Sequence, residues 1–167
     1  MLYQILEKLD HTFHFEKASA HCDIPCKIYD PISAQLAVLT MLRMVDILEE
    51  LTAKQELTVN DQATFTRLVM EKEVHGKIVK DEVRTIWGDY LKQPQIDKFP
   101  EIHELTHKIM LATSKAKQHV DKQATLALLA LVNRFAEIFW QTKGISTFIA
   151  TCPYPPAQEL VYPALGN

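Results

Sequence analysis

The sequence predicts an all-α fold, an antiparallel four-helix bundle, on three observations. Glycine is scarce, with Gly76, Gly88, Gly144 and Gly166 the only four in 167 residues, so little is available for β-turns. Apolar residues between positions 32 and 143 recur at three- and four-residue spacing, the period of a helix face. The connections between these periodic runs are short, which sets successive helices side by side in opposite directions.

The first helix follows Asp30, a good N-cap, and Pro31, at home in the first helical position. Leu36, Leu39, Leu42, Val45 and Leu48, flanked by Met41, Met44 and Ile47, form a wide apolar stripe. A second helix is expected to start after Asn60 or Asp61 and run to about Leu91, with Phe65, Leu68, Val69, Val74, Ile78, Val83, Ile86 and Trp87 on its inner face. Gly76 interrupts it and predicts a local irregularity, since glycine costs about 1 kcal/mol against alanine there. "KQPQIDKFP", with Pro94 and Pro100, reads as a connection. The third helix carries Ile102, Leu105, Ile109 and Met110 and is expected to fray near Lys115 to Lys117. Asp121 caps the fourth, whose stripe runs through Leu126, Leu129, Leu131, Val132, Phe135, Ile138 and Phe139 to a stop at Gly144. The remaining stretch, 145–167, holds four prolines (Pro153, Pro155, Pro156, Pro163) and reads as an irregular surface tail.

Composition narrows the function classes. The chain is 47% hydrophobic and 23% charged, as in ordinary globular domains. A net charge of −3 offers nothing to nucleic acid or an anionic membrane surface. No apolar run approaches the roughly 18 residues of a membrane span. Three cysteines do not make a secreted disulfide framework, so an intracellular protein is expected.

The chemistry-bearing residues cluster early. "HCDIPC", residues 21–26, holds His21, Cys22 and Cys26, and only one other cysteine, Cys152, exists. Directly before it stands Ala18-Ser19-Ala20, a small-residue ending of the kind peptidases read, yet no basic start or apolar run of a secretory signal precedes it. Residues 1–20 are therefore either a short helix over 2–9, docked by Leu2, Ile5, Leu6 and Leu9, or a cytoplasmic propeptide. If cleavage exposes His21, its α-amine, the Cys22 amide nitrogen and the two thiolates can form a planar N2S2 set. The imidazole can then approach along the axis. Tetragonal donors of this kind favour Ni(II) or Cu(II) over zinc. From spacing alone, half a zinc site completed by His103 or His107, a disulfide, or two unconnected buried thiols remain open readings.

The run from His21 to Pro31 resembles the "HCDxPCxxYDP" nickel hook of the nickel superoxide dismutase family. "IWGDYLKQP" (86–94) is similar to the family's "LWxDYFKP", "FPEIHEL" (99–105) to its "YPELHxL", and "IFWQTKG" (138–144) to its "IFWxTK". The resemblance implies a leader, 1–20, removed by a dedicated leader peptidase, and an N-terminal metal-binding hook, 21–30. It further implies a four-helix bundle over 31–144, assembly as a cytoplasmic homohexamer, and one nickel ion per subunit that disproportionates superoxide. His21 would give the amine and axial imidazole, Cys22 an amidate and thiolate, and Cys26 the second thiolate. Tyr29 would close the open axial face, Tyr90 would be its partner at the mouth, and Asp23 would join the hydrogen bonds holding the hook. The Ile24–Pro25 bond would be cis, at ~0.5–1 kcal/mol. In one departure, the family's glutamate and arginine beside the axial imidazole fall on Ala37 and His75. His75, a water or a neighbouring subunit is then expected to orient His21.

Two rivals use the same residues: a nickel or copper carrier without turnover, and a helical interaction protein whose leader stays attached and whose thiols pack or sense redox state. Lys27, beside Cys26, could attract an anionic substrate, though a lone lysine is usually just solvated. Trp87, Trp140 and Phe139 read as core or subunit contacts, His103 and His107 as solvated or capping residues, and Cys152 as a bystander.

Overall fold

The computed structural model describes residues 27–166. The expected helix over 2–9, the cleavage point and the hook residues His21, Cys22, Asp23, Pro25 and Cys26 lie outside the described residues. The described chain is mostly helical. In order come α1 (Ile32–Thr52), α2 (Val59–Thr85), a π-helical turn (Ile86–Tyr90), α3 (Gln93–Lys98), α4 (Ile102–Gln118) and α5 (Lys122–Thr142). Two short strands follow, β1 (Thr147–Thr151) and β2 (Glu159–Pro163).

Each of the four long helices packs against two of the others: α1 on α2 and α5, and α4 on α2 and α5. Lys80 of α2 reaches Ser114, while Trp87 beyond its end reaches His103, so α2 and α4 run in opposite directions. Gln35 meets Asn133 and Asp46 meets Lys122, which gives the same relation between α1 and α5. In the core, Met41, Leu42, Val45 and Leu48 of the expected α1 stripe, joined by Val38, are fully buried against Ile109, Leu128, Val132, Phe135, Ile138 and Phe139, while Leu36 of that stripe stands exposed. Each such side chain contributes roughly 1.5–3 kcal/mol on burial.

The helix starts follow local chemistry. Asp30 Oδ1 accepts from the Ile32 N–H at 2.8 Å, and Asp121 Oδ1 accepts from the Ala124 N–H at 2.9 Å. The second helix begins two or three residues earlier than expected. Thr58 is its cap, in a reciprocal box with Asp61: Asp61 N–H donates to Thr58 Oγ1 while Thr58 N–H donates to Asp61 Oδ2. The "KQPQIDKFP" connection contains the short helix α3, entered through a Lys92 N–H bond to Gln95 Oε1.

Three expectations are corrected on the inner face of α2. Val74 and Trp87 stand exposed, and Lys72 and Val79 take buried positions instead. The helix is regular through Gly76, whose missing Cβ makes room for another chain: a Cβ there would lie 2.3 Å from Lys117 Cγ and 3.3 Å from Met41 Cε. Finally, α4 does not fray at Lys115 to Lys117. Lys72, 1% exposed, inserts its ammonium into the C-terminus of α4 and donates to the carbonyls of Ala116 (2.7 Å), Lys117 and His119 (3.0 Å). Those carbonyls are orphaned by the end of the helix and carry its negative pole, so a cation there both caps and complements it. Loss of water around the Lys72 ammonium lowers its pKa.

The tail is also corrected. Instead of an irregular strap it forms an antiparallel pair, with Thr147 opposite Pro163 and Thr151 opposite Glu159. Leu160 and Val161 of β2 and Cys152 are buried against the helices. The Gln35 amide, itself buried, donates to the Val161 carbonyl at 3.0 Å. The prolines stand mostly in the connection and at the strand end, where no ladder N–H is needed.

Candidate metal centre

The described chain begins immediately after the last proposed ligand. Lys27 adopts φ +58°, a left-handed conformation that costs a non-glycine residue roughly 1–2 kcal/mol. Lys27 is exposed and opens the short stretch that leads into α1. Two residues later Tyr29 packs half-buried against the core, with the buried Pro31 and the capping Asp30 fixing the path behind it.

Tyr90 approaches Tyr29 from the other side. At the end of α2 the chain widens into a π turn, closed by the Leu91 N–H bond to the Ile86 carbonyl at 3.1 Å. Ile86 and Leu91 are buried and anchor the turn at both ends. Between these anchors Tyr90 is presented to Tyr29, with ring centroids 5.6 Å apart and planes tilted by 46°. Its other neighbour is Phe139, at 4.9 Å. The sequence-predicted pair is thus brought together by two segments 61 positions apart.

The end of α5 completes this corner. Gly144, at φ +72°, and Ile145 close the helix: Gly144 N–H bonds to the Gln141 carbonyl and Ile145 N–H to the Trp140 carbonyl. This closure fixes Thr142 and Lys143 beside Tyr90. Thr142 Oγ1 lies 2.7 Å from the Tyr90 hydroxyl. The Lys143 ammonium stands 4.6 Å from the Tyr90 ring centroid and 5.0 Å from that of Phe139, a cation held over aromatic faces. Neither Thr142 nor Lys143 was singled out by sequence reasoning, although both stand in "IFWQTKG". Nothing local distinguishes them from an ordinary helix end.

The remaining candidates fall elsewhere. His75 turns Nδ1 to the carbonyl of Glu71 in its own helix, at 2.8 Å, and Ala37 is buried in the core. His103 accepts the indole N–H of Trp87 at Nδ1, 3.0 Å, so Trp87 is a half-exposed surface partner rather than core. Cys152 is no bystander in packing terms, being 2% exposed with its thiol turned to the Tyr154 carbonyl. Among the described residues no three His, Cys, Asp or Glu side chains gather as a metal site, and no helix is long and apolar enough to cross a membrane.

A sequence model of the nickel-containing superoxide dismutases matches residues 16–143. The superoxide dismutase [Ni] of Streptomyces coelicolor is 35% identical over 127 residues, which cover 75% of this chain and 89% of that protein. That of Streptomyces seoulensis is 33% identical over 129 residues, 76% and 91% of the two chains. The solved structure of a native nickel superoxide dismutase superposes with a TM-score of 0.63 at 31% identity, covering 74% of this chain and 99% of its own. The two strands lie beyond the span matched by the family. The shared span instead holds the hook, the π turn and the end of α5, the three segments that supply the proposed ligands and the Tyr29–Tyr90 corner. The chain belongs to the nickel-containing superoxide dismutase family.

Proposed function

We propose that this chain, once cut before His21, converts two superoxide anions and two protons into dioxygen and hydrogen peroxide. The observation that carries the reading is the convergence of Tyr90 on Tyr29, which stands three residues beyond Cys26. The donor set fits nickel: His21, Cys22 and Cys26 supply an amine, an imidazole, an amidate and two thiolates within six residues. Nickel bound there supplies the one-electron Ni(II)/Ni(III) couple, whose oxidised state anionic sulfur and amidate donors stabilise.

The protein's own groups do the rest. Asp23 holds the hook by hydrogen bonds, Tyr29 and Tyr90 narrow the approach, and the Lys143 ammonium beside them attracts an anionic substrate. A nickel or copper carrier has no use for such a ring-lined approach. The same reading takes residues 1–20 as a leader removed by a peptidase. It takes 21–30 as the hook and the cyclic packing of α1, α2, α4 and α5 within 31–144 as an antiparallel four-helix bundle. The 145–167 tail is an addition, and the assembly is a cytoplasmic homohexamer.

Protein beginning at His21 and loaded with nickel is expected to remove superoxide catalytically in stopped flow. Cys22→Ser or Cys26→Ser should lose both nickel and activity, with helix content unchanged by circular dichroism. Nickel-loaded, leader-free protein with no superoxide dismutase activity would overturn the proposal.

A further inference from the structure

Thr142 Oγ1 sits between two oxygens: the Phe139 carbonyl at 2.6 Å and the Tyr90 hydroxyl at 2.7 Å. A threonine hydroxyl has one proton and a carbonyl has none. Two oxygens at 2.6 Å with no proton between them would repel, so the Thr142 proton lies on the Phe139 side. The contact with Tyr90 then needs its proton from the phenol. The direction of the chain is fixed: Tyr90 donates to Thr142, and Thr142 donates to the Phe139 carbonyl.

We infer that Thr142 is a positioning residue that turns the Tyr90 proton inward and leaves Tyr90 only lone pairs to offer any anion arriving beside it. This rests on reading Tyr29 and Tyr90 as the mouth of the nickel site. An anion near Lys143 meets a cation 4.6 Å from the Tyr90 ring centroid. A phenol O–H free to point at that anion would add a charge-assisted hydrogen bond and turn an attractive approach into a binding site. With its proton committed to Thr142, Tyr90 narrows the approach without retaining what passes. Of the two mouth tyrosines, Tyr90 is thereby removed as the resting-state proton donor.

The test uses nickel-loaded protein starting at His21, with sodium azide as the anion probe. Thr142→Val keeps the shape and removes the acceptor, so the azide inhibition constant is expected to fall about tenfold, the worth of one hydrogen bond to a charged group. KM for superoxide should fall with it, and kcat should fall too as release slows. Thr142→Ser, which keeps the hydroxyl, should restore wild-type inhibition, a rescue that loss of packing alone would not predict. In a Tyr90→Phe background, Thr142→Val should change nothing further. Should Thr142→Val fold poorly, Thr142→Ala gives the same comparison. Wild-type azide inhibition in the Thr142 variant, while Tyr90→Ala shifts it, would overturn the inference and leave the mouth in place. Wild-type inhibition and turnover in Tyr90→Ala, which removes the ring, would remove the mouth reading and the inference with it.

Discussion

The corner where Tyr29, Tyr90, Phe139 and Lys143 meet and the opposite end of α4 both place a lysine at a helix terminus, with opposite treatment. Lys143, after the end of α5, stays exposed and lies over aromatic rings. Lys72 is withdrawn from water and spends its ammonium on three carbonyls of α4. The first arrangement keeps charge available to a diffusing partner at little cost in desolvation. The second removes charge from solvent, which is tolerable only because every ammonium proton has an acceptor. The difference separates a lysine serving approach from one serving the fold, a distinction the residue type alone does not reveal.

The strongest way to break the contrast is Lys72→Met. It keeps the stem but strands three carbonyls at the end of α4, and should cost about 3 kcal/mol in urea unfolding. Activity per bound nickel should stay near wild type, because the corner at Tyr90 is built by other residues. A comparable loss of activity per nickel would merge the two ends into one functional unit. A smaller effect, with an inverted sign, is expected at Gly76→Ala. In an exposed helix this change adds about 0.5–1 kcal/mol. Here the new Cβ would strike the middle of the Lys117 stem, so a loss of about 1–2 kcal/mol is expected from chemical denaturation.

The smallest effect sharpens the comparison through pH. Asp61 is held down to about 2, against an ordinary 3.8, first by its hydrogen bond to Lys54 and then by its bonds to Thr58. A carboxyl with a depressed folded-state pKa contributes fully above its unfolded value, and the contribution fades as pH falls from about 4 towards 2. Urea midpoints over that interval should drop less steeply in Asp61→Asn than in wild type. Equal slopes would remove Asp61 from the acid response.

Where structure follows from neighbours in the chain, the sequence was readable. Asp30, Asp121 and Gly144 act where local capping chemistry puts them, and Leu39, Met41, Leu42, Val45 and Leu48 of the α1 stripe are buried, although Leu36 is exposed. The start of α2 was misplaced because Thr58 completes its box with an aspartate rather than the usual glutamate. Lys72 could not be found this way, since its acceptors lie more than forty positions on, and a lysine among charged neighbours reads as solvated. The strands were hidden by four prolines, although "TFIAT" and "ELVYP" carry the β-branched and aromatic residues that strands favour. The Tyr29–Tyr90 pair was legible only through the family resemblance, because no periodicity joins two segments so distant.

The π turn has a consequence for how such a corner tolerates change in length. Five residues, Ile86–Tyr90, occupy a stretch where a regular helix would use fewer, and Gly88 within it has open space around its Cα. Deleting that one residue would let the helix run on regularly with Tyr90 still turned to Tyr29, whereas a deletion in the regular helix before Ile86 would swing Tyr90 by about 100° around its axis. The alignment of the two rings is therefore written in the number of residues as much as in their identity: a one-codon deletion at the tolerant glycine leaves it in place, and the same deletion a turn earlier undoes it with every side chain of the site intact.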